Sequence, residues 1–63
     1  NKVQIEIPND ITKYLVELYD LSGRLIEQHE NRDVLDLSNY PTGMYMLNVK
    51  AKGNTYFNKI VKQ

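Results

Sequence analysis

The stretch LYDLSGRLI, residues 18–26, places a four-residue turn sequence between two apolar runs. Asp20 stands at the first position of this turn, where its carboxylate can accept hydrogen bonds from backbone N–H groups two or three residues later. Gly23 stands at the fourth position, where glycine tolerates a positive φ. The stretch therefore predicts a hairpin corner that joins two antiparallel strands.

Apolar side chains alternate with polar ones through most of the chain, which is typical of β-strands with one buried face. The alternation predicts strands at residues 2–7, at residues 14–19 and from residue 24 to about residue 29. A short apolar element follows at residues 34–37, and the most regular alternation covers residues 45–52. With a last strand folding back on that one, we expect an all-β antiparallel sandwich of about six short strands.

Two further turn sequences fit this architecture. In the segment 40–43, Pro41 pre-sets φ at the second position of a turn and Gly43 closes the corner. Gly53 and Asn54 form a two-residue hairpin signal, because both residue types tolerate a positive φ. We therefore expect the last strand to pair directly with the strand before it.

The alternation is less regular in that last strand. Phe57 and Ile60 are three positions apart, so they cannot share one face of a regular strand. The sequence predicts either a bulge near Asn58 or a partly exposed Phe57.

The composition limits both the means of stabilisation and the partners. The 63 residues suffice for one domain, and the absence of cysteine and the single histidine, His29, exclude disulfides and disfavour a structural metal. Eight basic and eight acidic side chains cancel, which argues against nucleic acid and against a polybasic membrane anchor. Calcium has little support, since Glu30 and Asp33 are the only neighbouring acidic loop residues. We expect no cofactor.

Catalytic interpretations find little support in the sequence. Nothing in the spacing brings Asp20 and Asp36 together as an acid–base pair, and both fit ordinary turn positions. Ser22 and Ser38 are the only serines, and neither lies in the sequence context of a catalytic nucleophile with His29 as its base. We therefore expect that the protein is not an enzyme.

Tyrosine is unusually frequent for so short a chain. Strand alternation sends two of the five tyrosines inward and leaves one or two on the surface, which is few for a platform that stacks on sugar rings. An accessory β-sandwich of a secreted enzyme, binding carbohydrate or acting as a spacer, stays the alternative function. The tyrosines expected inside are Tyr14 and Tyr45, and those expected outside are Tyr19 and Tyr56.

Four sequence pieces, taken in order, resemble the type A C-terminal sorting domains of the type IX secretion system. They are VELYDLSGRLI at 16–26, LDLS at 35–38, PTGMY at 41–45 and KIVK at 59–62. Each piece alone is widespread, but their order and the lysine-rich last piece make the resemblance specific. It covers nearly the whole chain.

The resemblance implies a fold, a function and a set of partners. Such domains are monomeric, immunoglobulin-like β-sandwiches of six or seven strands at the C-terminal end of cargo proteins of Gram-negative bacteria. They pass through the periplasm, are recognised by the outer-membrane translocon, and are removed by a sortase at the cell surface, where the cargo stays attached or is released. Carried over by position, the motif residues are Asp20, Gly23, Arg24, Gly43, Tyr45, Lys59 and Lys62.

Two departures from the family pattern accompany the resemblance. Family members usually carry an Asn-Pro segment before their first strand, and this chain starts at Asn1 without it. We therefore expect residues 1–63 to be one sorting domain that is trimmed on the cargo side and lacks a leading strand. Tyr40 stands where a small aliphatic residue is common, which changes how the following corner packs.

Two modes of recognition follow from the predicted sandwich. In the first, exposed lysines of the last hairpin meet an acidic receptor surface; in the second, a partner strand adds to an unpaired edge of a sheet. The alternative role of these lysines is to keep the sheet edges soluble, without any part in recognition. The lysines concerned are Lys50, Lys52, Lys59 and Lys62.

Overall fold

A computed structural model describes residues 2–63, and within them the chain forms six β-strands and no helix. The expected trimming at Asn1 lies outside the described residues. All strand pairs are antiparallel, which confirms the predicted all-β sandwich. The strands are β1 (Lys2–Gln4), β2 (Leu15–Asp20), β3 (Leu25–Glu30), β4 (Val34–Asp36), β5 (Gly43–Ala51) and β6 (Asn54–Lys62).

The strands divide into two sheets. A four-stranded sheet has the order β3-β2-β5-β6, and a two-stranded sheet pairs β1 with β4. Leu18 lies opposite Leu47 and Val16 opposite Val49 at the centre of the larger sheet, and all four side chains are buried. The core between the sheets consists of Ile5, Val16, Leu18, Leu35, Leu37, Tyr45, Leu47 and Val49.

Strand β1 is shorter than the predicted strand at residues 2–7. Its pairing with β4 ends at Gln4, although Ile5 still donates its backbone N–H to Asp33 O at 2.7 Å. Pro8 then accepts a hydrogen bond from Ile11 N at 3.0 Å, which forms a turn. Proline has no N–H to donate, so Pro8 begins a turn where the pairing has already ended.

The last hairpin turns one residue earlier than predicted. Its two turn residues are Lys52 and Gly53, with φ of 52° and 77°, whereas Asn54 is already paired with Ala51. Two successive positive φ values are the geometry of a type I′ turn, which suits the twist of antiparallel strands. A lysine therefore occupies a position where we expected glycine.

The pairing of β5 with β6 is regular, so the predicted bulge near Asn58 is wrong. The other expectation holds, because Phe57 is 66% exposed while Ile60 packs against the core from the opposite face. A register shift occurs instead between β2 and β3, at Leu18 and Tyr19.

The hydrogen-bonded turn before β5 also lies earlier than predicted. Tyr40 N donates to Leu37 O at 3.0 Å, so the turn covers residues 37–40 rather than 40–43. Pro41 and Thr42 then lead directly into β5 at Gly43, whose φ is 148°.

We predict that Gly53→Ala destabilises the fold by about 1 kcal/mol, because a Cβ is unfavourable at positive φ. A loss of this size corresponds to a fall in melting temperature of roughly 4–8 °C for so small a domain. The matched variant is Lys52→Asn, since asparagine tolerates positive φ better than lysine. Thermal unfolding should show Lys52→Asn at or above the wild-type melting temperature; a Gly53→Ala protein as stable as wild type would contradict the assigned turn.

Candidate functional site

The Asp20 carboxylate organises the turn between β2 and β3. Its Oδ1 accepts hydrogen bonds from the backbone N–H groups of Ser22 and Arg24, at 2.9 and 3.1 Å, and from the Ser22 hydroxyl at 2.5 Å. Gly23 N donates to Asp20 O at 3.0 Å, and the φ of Gly23 is 87°. The predicted corner is thus confirmed, with its backbone donors two and four residues after the aspartate.

These hydrogen bonds lower the pKa of the Asp20 carboxyl, the Ser22 hydroxyl having the largest effect. Arg24 adds an ion pair, with its Nε 3.3 Å from Asp20 Oδ2. The Arg24 side chain is nevertheless 80% exposed, and exposed pairs of this kind contribute little to stability. Arg24 therefore adds only a weak contact to the turn and presents its guanidinium to solvent.

Pairing of β2 with β5 brings the second motif beside this turn. Asp20 lies opposite Tyr45, and the segments 20–22 and 42–45 line one shallow depression. The Tyr45 ring is buried, and its hydroxyl donates to Pro41 O at 2.5 Å. Two pieces that are some twenty positions apart in the sequence thus share one surface.

The lysine near the end of β6 completes this end of the sheet. Lys62 is paired opposite Gly43, and its Nζ donates to Leu37 O at 2.8 Å and to Tyr40 O at 2.5 Å. A longer contact of 3.4 Å reaches Ser38 O. The ammonium thus binds the carbonyl groups of the turn before β5 and ties the last strand to it.

Six of the seven predicted motif residues therefore meet at one end of the four-stranded sheet, and we call this group the motif end. Lys59 does not belong to it. It lies opposite Met46 on the outer face of β6, where it is exposed. The motif end consists of Asp20, Gly23, Arg24, Gly43, Tyr45 and Lys62.

The sequence pattern did not predict a polar cluster that lies beside the motif end. The Tyr40 hydroxyl donates to Glu27, whose other carboxylate oxygen lies 2.6 Å from His29 Nε2. The Tyr40 ring also packs at 42° to that of Tyr45, with 6.1 Å between the ring centroids. Tyr40, the departure from the family pattern, thus connects β3 to the turn before β5.

The charges of this cluster follow from its hydrogen bonds. Burial and the hydrogen bond to Glu27 raise the pKa of the Tyr40 hydroxyl to about 12. Burial also opposes ionisation of Glu27, but the hydrogen bonds from His29 and Tyr40 prevail and lower the pKa of its carboxyl. Glu27 is therefore a carboxylate at neutral pH, and it acts as an acceptor.

A buried carboxylate lies on the outer face of the larger sheet. Glu17 is 6% exposed, and its Oε1 lies 3.3 Å from Lys50 Nζ without the alignment of a hydrogen bond. The alternation placed Glu17 on this face, but nothing in it indicated burial. Lys50 thus neutralises a carboxylate of its own domain.

Asp36 and Ser38 form a second capped turn. Asp36 accepts hydrogen bonds from the backbone N–H of Ser38, at 2.9 Å, and from its hydroxyl, as Asp20 does from Ser22. The two aspartates thus cap separate turns and do not form an acid–base pair.

Within residues 2–63, no group of three or more acidic, histidine or cysteine side chains is placed to hold a metal ion, and no helix is suited to cross a membrane.

The fold and this site define a class of protein. It is a small antiparallel β-sandwich whose distinctive feature is the motif end, where hydrogen bonds fix the backbone and some side chains are exposed. A family model described as a secretion system C-terminal sorting domain matches residues 1–63, and the chain belongs to this family of type IX sorting domains. Neither the search of curated proteins nor the search of solved structures found a match.

Membership in this family carries a function. The domain is a C-terminal sorting signal, the tail of a cargo protein that secretion machinery exports toward the cell surface or the medium. Domains of this kind are generally non-catalytic, in keeping with the structural roles of the aspartates and serines.

The lowered pKa of Asp20 makes a prediction about acid stability. Because its pKa is lower when folded than the roughly 3.9 of an unfolded aspartate, its stabilising effect is present above about pH 4 and is lost as the pH falls through the folded pKa. Asp20→Asn keeps an acceptor oxygen but does not titrate. We expect a smaller fall in melting temperature between pH 7 and pH 2.5 for Asp20→Asn than for wild type.

The matched control for this measurement is Glu30→Gln, an exposed carboxylate at the other end of β3. Its acid-induced fall in melting temperature should equal that of wild type. Equal falls for all three proteins would contradict the assigned role of Asp20.

Proposed function

We propose that the type IX outer-membrane translocon recognises this domain in the periplasm through the motif end, and that a cell-surface sortase removes the domain after export. One observation carries the proposal: six motif residues from three separate parts of the sequence meet at one end of one sheet. The domain itself has no catalytic part in this process.

The motif end has the properties of a surface read by another protein. Asp20 and Lys62 bind backbone groups on both sides of it, so its shape is set before any partner arrives. A preorganised surface loses little conformational entropy on binding, which favours affinity. Since the translocon accepts many cargoes, a rigid label common to all of them gives it one surface to recognise.

Two exposed side chains at this end are available to a partner. Leu21 is 69% exposed at the tip of the turn, and the Arg24 guanidinium is exposed beyond its contact with Asp20. A guanidinium carries five N–H donors, so those directed away from Asp20 can bind a carboxylate of the receptor. The pair combines an apolar contact with a charge that fixes orientation.

Three of the four lysines predicted to meet an acidic receptor surface already have partners within the domain. Lys50 pairs with Glu17, Lys52 Nζ lies 3.2 Å from Asp10 Oδ2, and Lys62 binds carbonyl groups. Lys59 has no such partner within residues 2–63, so we assign to it, as a second contact outside the motif end, a charge that an acidic receptor surface would meet together with that of Arg24.

A secretion assay tests this proposal. The domain is fused to the C-terminus of a periplasmic reporter in a bacterium with a type IX system, and Arg24→Ala is compared with wild type for reporter at the cell surface. We expect export to fall at least about tenfold, because the receptor loses a charge-assisted hydrogen bond worth about 1.5–3 kcal/mol. The melting temperature should stay close to wild type, because the Arg24 side chain is 80% exposed and its ion pair therefore contributes little to stability.

Three further variants are compared with Arg24→Ala. Lys59→Ala should also reduce export without unfolding, whereas Lys13→Ala, an exposed lysine outside every motif, should leave export unchanged. Lys62→Met should lower the melting temperature, because three backbone carbonyls lose their donor. Undiminished export of both Arg24→Ala and Lys59→Ala would refute recognition through these charges.

A further inference from the structure

The outer face of the four-stranded sheet carries three apolar side chains that lie side by side on adjacent strands. Leu25 of β3 lies opposite Tyr19 of β2, and Tyr19 lies opposite Met46 of β5. These side chains point away from the core, because Leu18 and Leu47, the next residues along β2 and β5, are buried in it and successive side chains alternate between the faces. Leu25 is 44% exposed and the other two are half-buried, so this apolar row is open to solvent.

A cation stands at each end of the apolar row. Arg24 directly precedes Leu25, and Lys59 of β6 lies opposite Met46. Both cationic side chains are exposed. Because adjacent strands are about 4.8 Å apart, Leu25 and Lys59 are separated by about 14 Å across the sheet. One apolar surface thus joins the two charges that we assign to contacts with an acidic receptor.

The next row on the same face is largely polar. It consists of Gln28, Glu17, Asn48 and Phe57. The Glu17 carboxylate is buried, and Lys50 compensates its charge. Arg24 and Lys59 therefore determine the charge that a partner meets at the apolar row. A complementary surface is apolar at its centre and acidic where it meets these two side chains.

The position of the apolar row favours the partner that reads the motif end. Any polypeptide that precedes β1 is attached on the other side of the sandwich, because β1 pairs with β4 and Val3 packs against the core from there. The apolar row lies on the opposite face of the larger sheet and continues, through Arg24, from the Asp20 turn. A partner bound at that turn reaches the row without crossing an edge of the sheet.

A second copy of the domain and a lipid surface suit the row less well than a protein of opposite charge. Two copies meeting face to face would bring their cations together, and like charges across an interface are unfavourable. Two cations attract an anionic membrane only weakly. Insertion of the row would also bring Glu17 and Asn48 beside hydrocarbon, where polar groups are costly.

We infer that the receptor bound at the motif end extends across the apolar row, with apolar side chains on Tyr19, Leu25 and Met46 and a carboxylate at Lys59. The inference rests on the proposed function and makes Lys59 part of one contact surface with the motif end. Aromatic, methionine and arginine side chains are typical of the centre of protein interfaces, in agreement with the composition of this face.

Single thiols test the inference, because the chain contains no cysteine. Phe57→Cys places a thiol on the outer face beside Lys59, and Asn58→Cys places one on the opposite face of the same strand; both positions are exposed. The domain is fused to the C-terminus of a cysteine-free reporter. The rate of maleimide labelling is measured with and without type IX translocon purified in detergent, at ten times the Kd of each variant.

We expect the translocon to slow labelling of Phe57→Cys about tenfold, because about one tenth of the domain stays free at this concentration. Labelling of Asn58→Cys should change less than twofold. An equal rate for Phe57→Cys with and without translocon would overturn the inference.

Charge reversal tests the contact at Lys59. Lys59→Glu should weaken translocon binding at least about tenfold, because it sets a carboxylate against an acidic surface. The matched control is Lys13→Glu, which changes the net charge equally at an exposed lysine outside the row, and it should weaken binding less than threefold. Equal effects of the two variants would contradict a local acidic contact.

The other possible occupants give different labelling results. If the Phe57→Cys thiol of the fusion protein alone reacts at least tenfold more slowly than that of Asn58→Cys, the reporter or a second copy already covers the face and the inference fails. Protection of Phe57→Cys by vesicles of phosphatidylethanolamine and phosphatidylglycerol, without protection by the translocon, would assign the row to a membrane and would also overturn it.

A thiol at the motif end separates this inference from the proposed function. Leu21→Cys lies at the tip of the Asp20 turn, where position 21 is exposed. Protection of both Leu21→Cys and Phe57→Cys by the translocon supports one continuous contact. Protection of Leu21→Cys alone overturns only the extension across the row, whereas absence of protection at Leu21→Cys refutes recognition through the motif end and the inference with it.

Discussion

The pairing of β2 with β5 is the constraint on which the rest of the structure depends. Leu18 and Leu47 lie opposite each other and are both buried, so a slip of one residue would send the apolar side chains of a strand to the wrong face. The same register sets Asp20 beside Tyr45 and thereby joins two distant sequence motifs. The site that we propose for recognition is thus a consequence of the core.

Hydrogen bonds between charged side chains and the backbone add to the stability that the small core provides. Without disulfides, a domain of 63 residues must hold its loops by other means. Asp20 holds the first turn, and Lys62 holds the turn before β5 across a separation of 22 residues or more. Lys62, a residue of the predicted recognition motif, therefore also stabilises the shape of the surface. A substitution of Lys62 is expected to change the stability of the domain, whereas a substitution of Arg24 is expected to change recognition and to leave stability close to wild type.

Local patterns predicted much of the fold and little of its long-range chemistry. The alternation in β5 and the Asp20–Gly23 turn are short-range features, and both were found as expected. The last turn was misplaced by one residue because Lys52, a residue without a turn preference, adopts positive φ. The contacts of Lys62 were not predictable from spacing, because they depend on how β6 folds back over the sheet.

Site-specific photo-crosslinking tests most directly whether the motif end is the surface that the translocon reads. A photoreactive residue at Leu21 stands at that end, and one at Glu30 stands at the other end of the β2–β3 hairpin, both in exposed positions. In cells exporting the reporter, we predict a translocon adduct from position 21 and none from position 30. Adducts of equal yield from both positions, or from position 30 alone, would contradict recognition through the motif end.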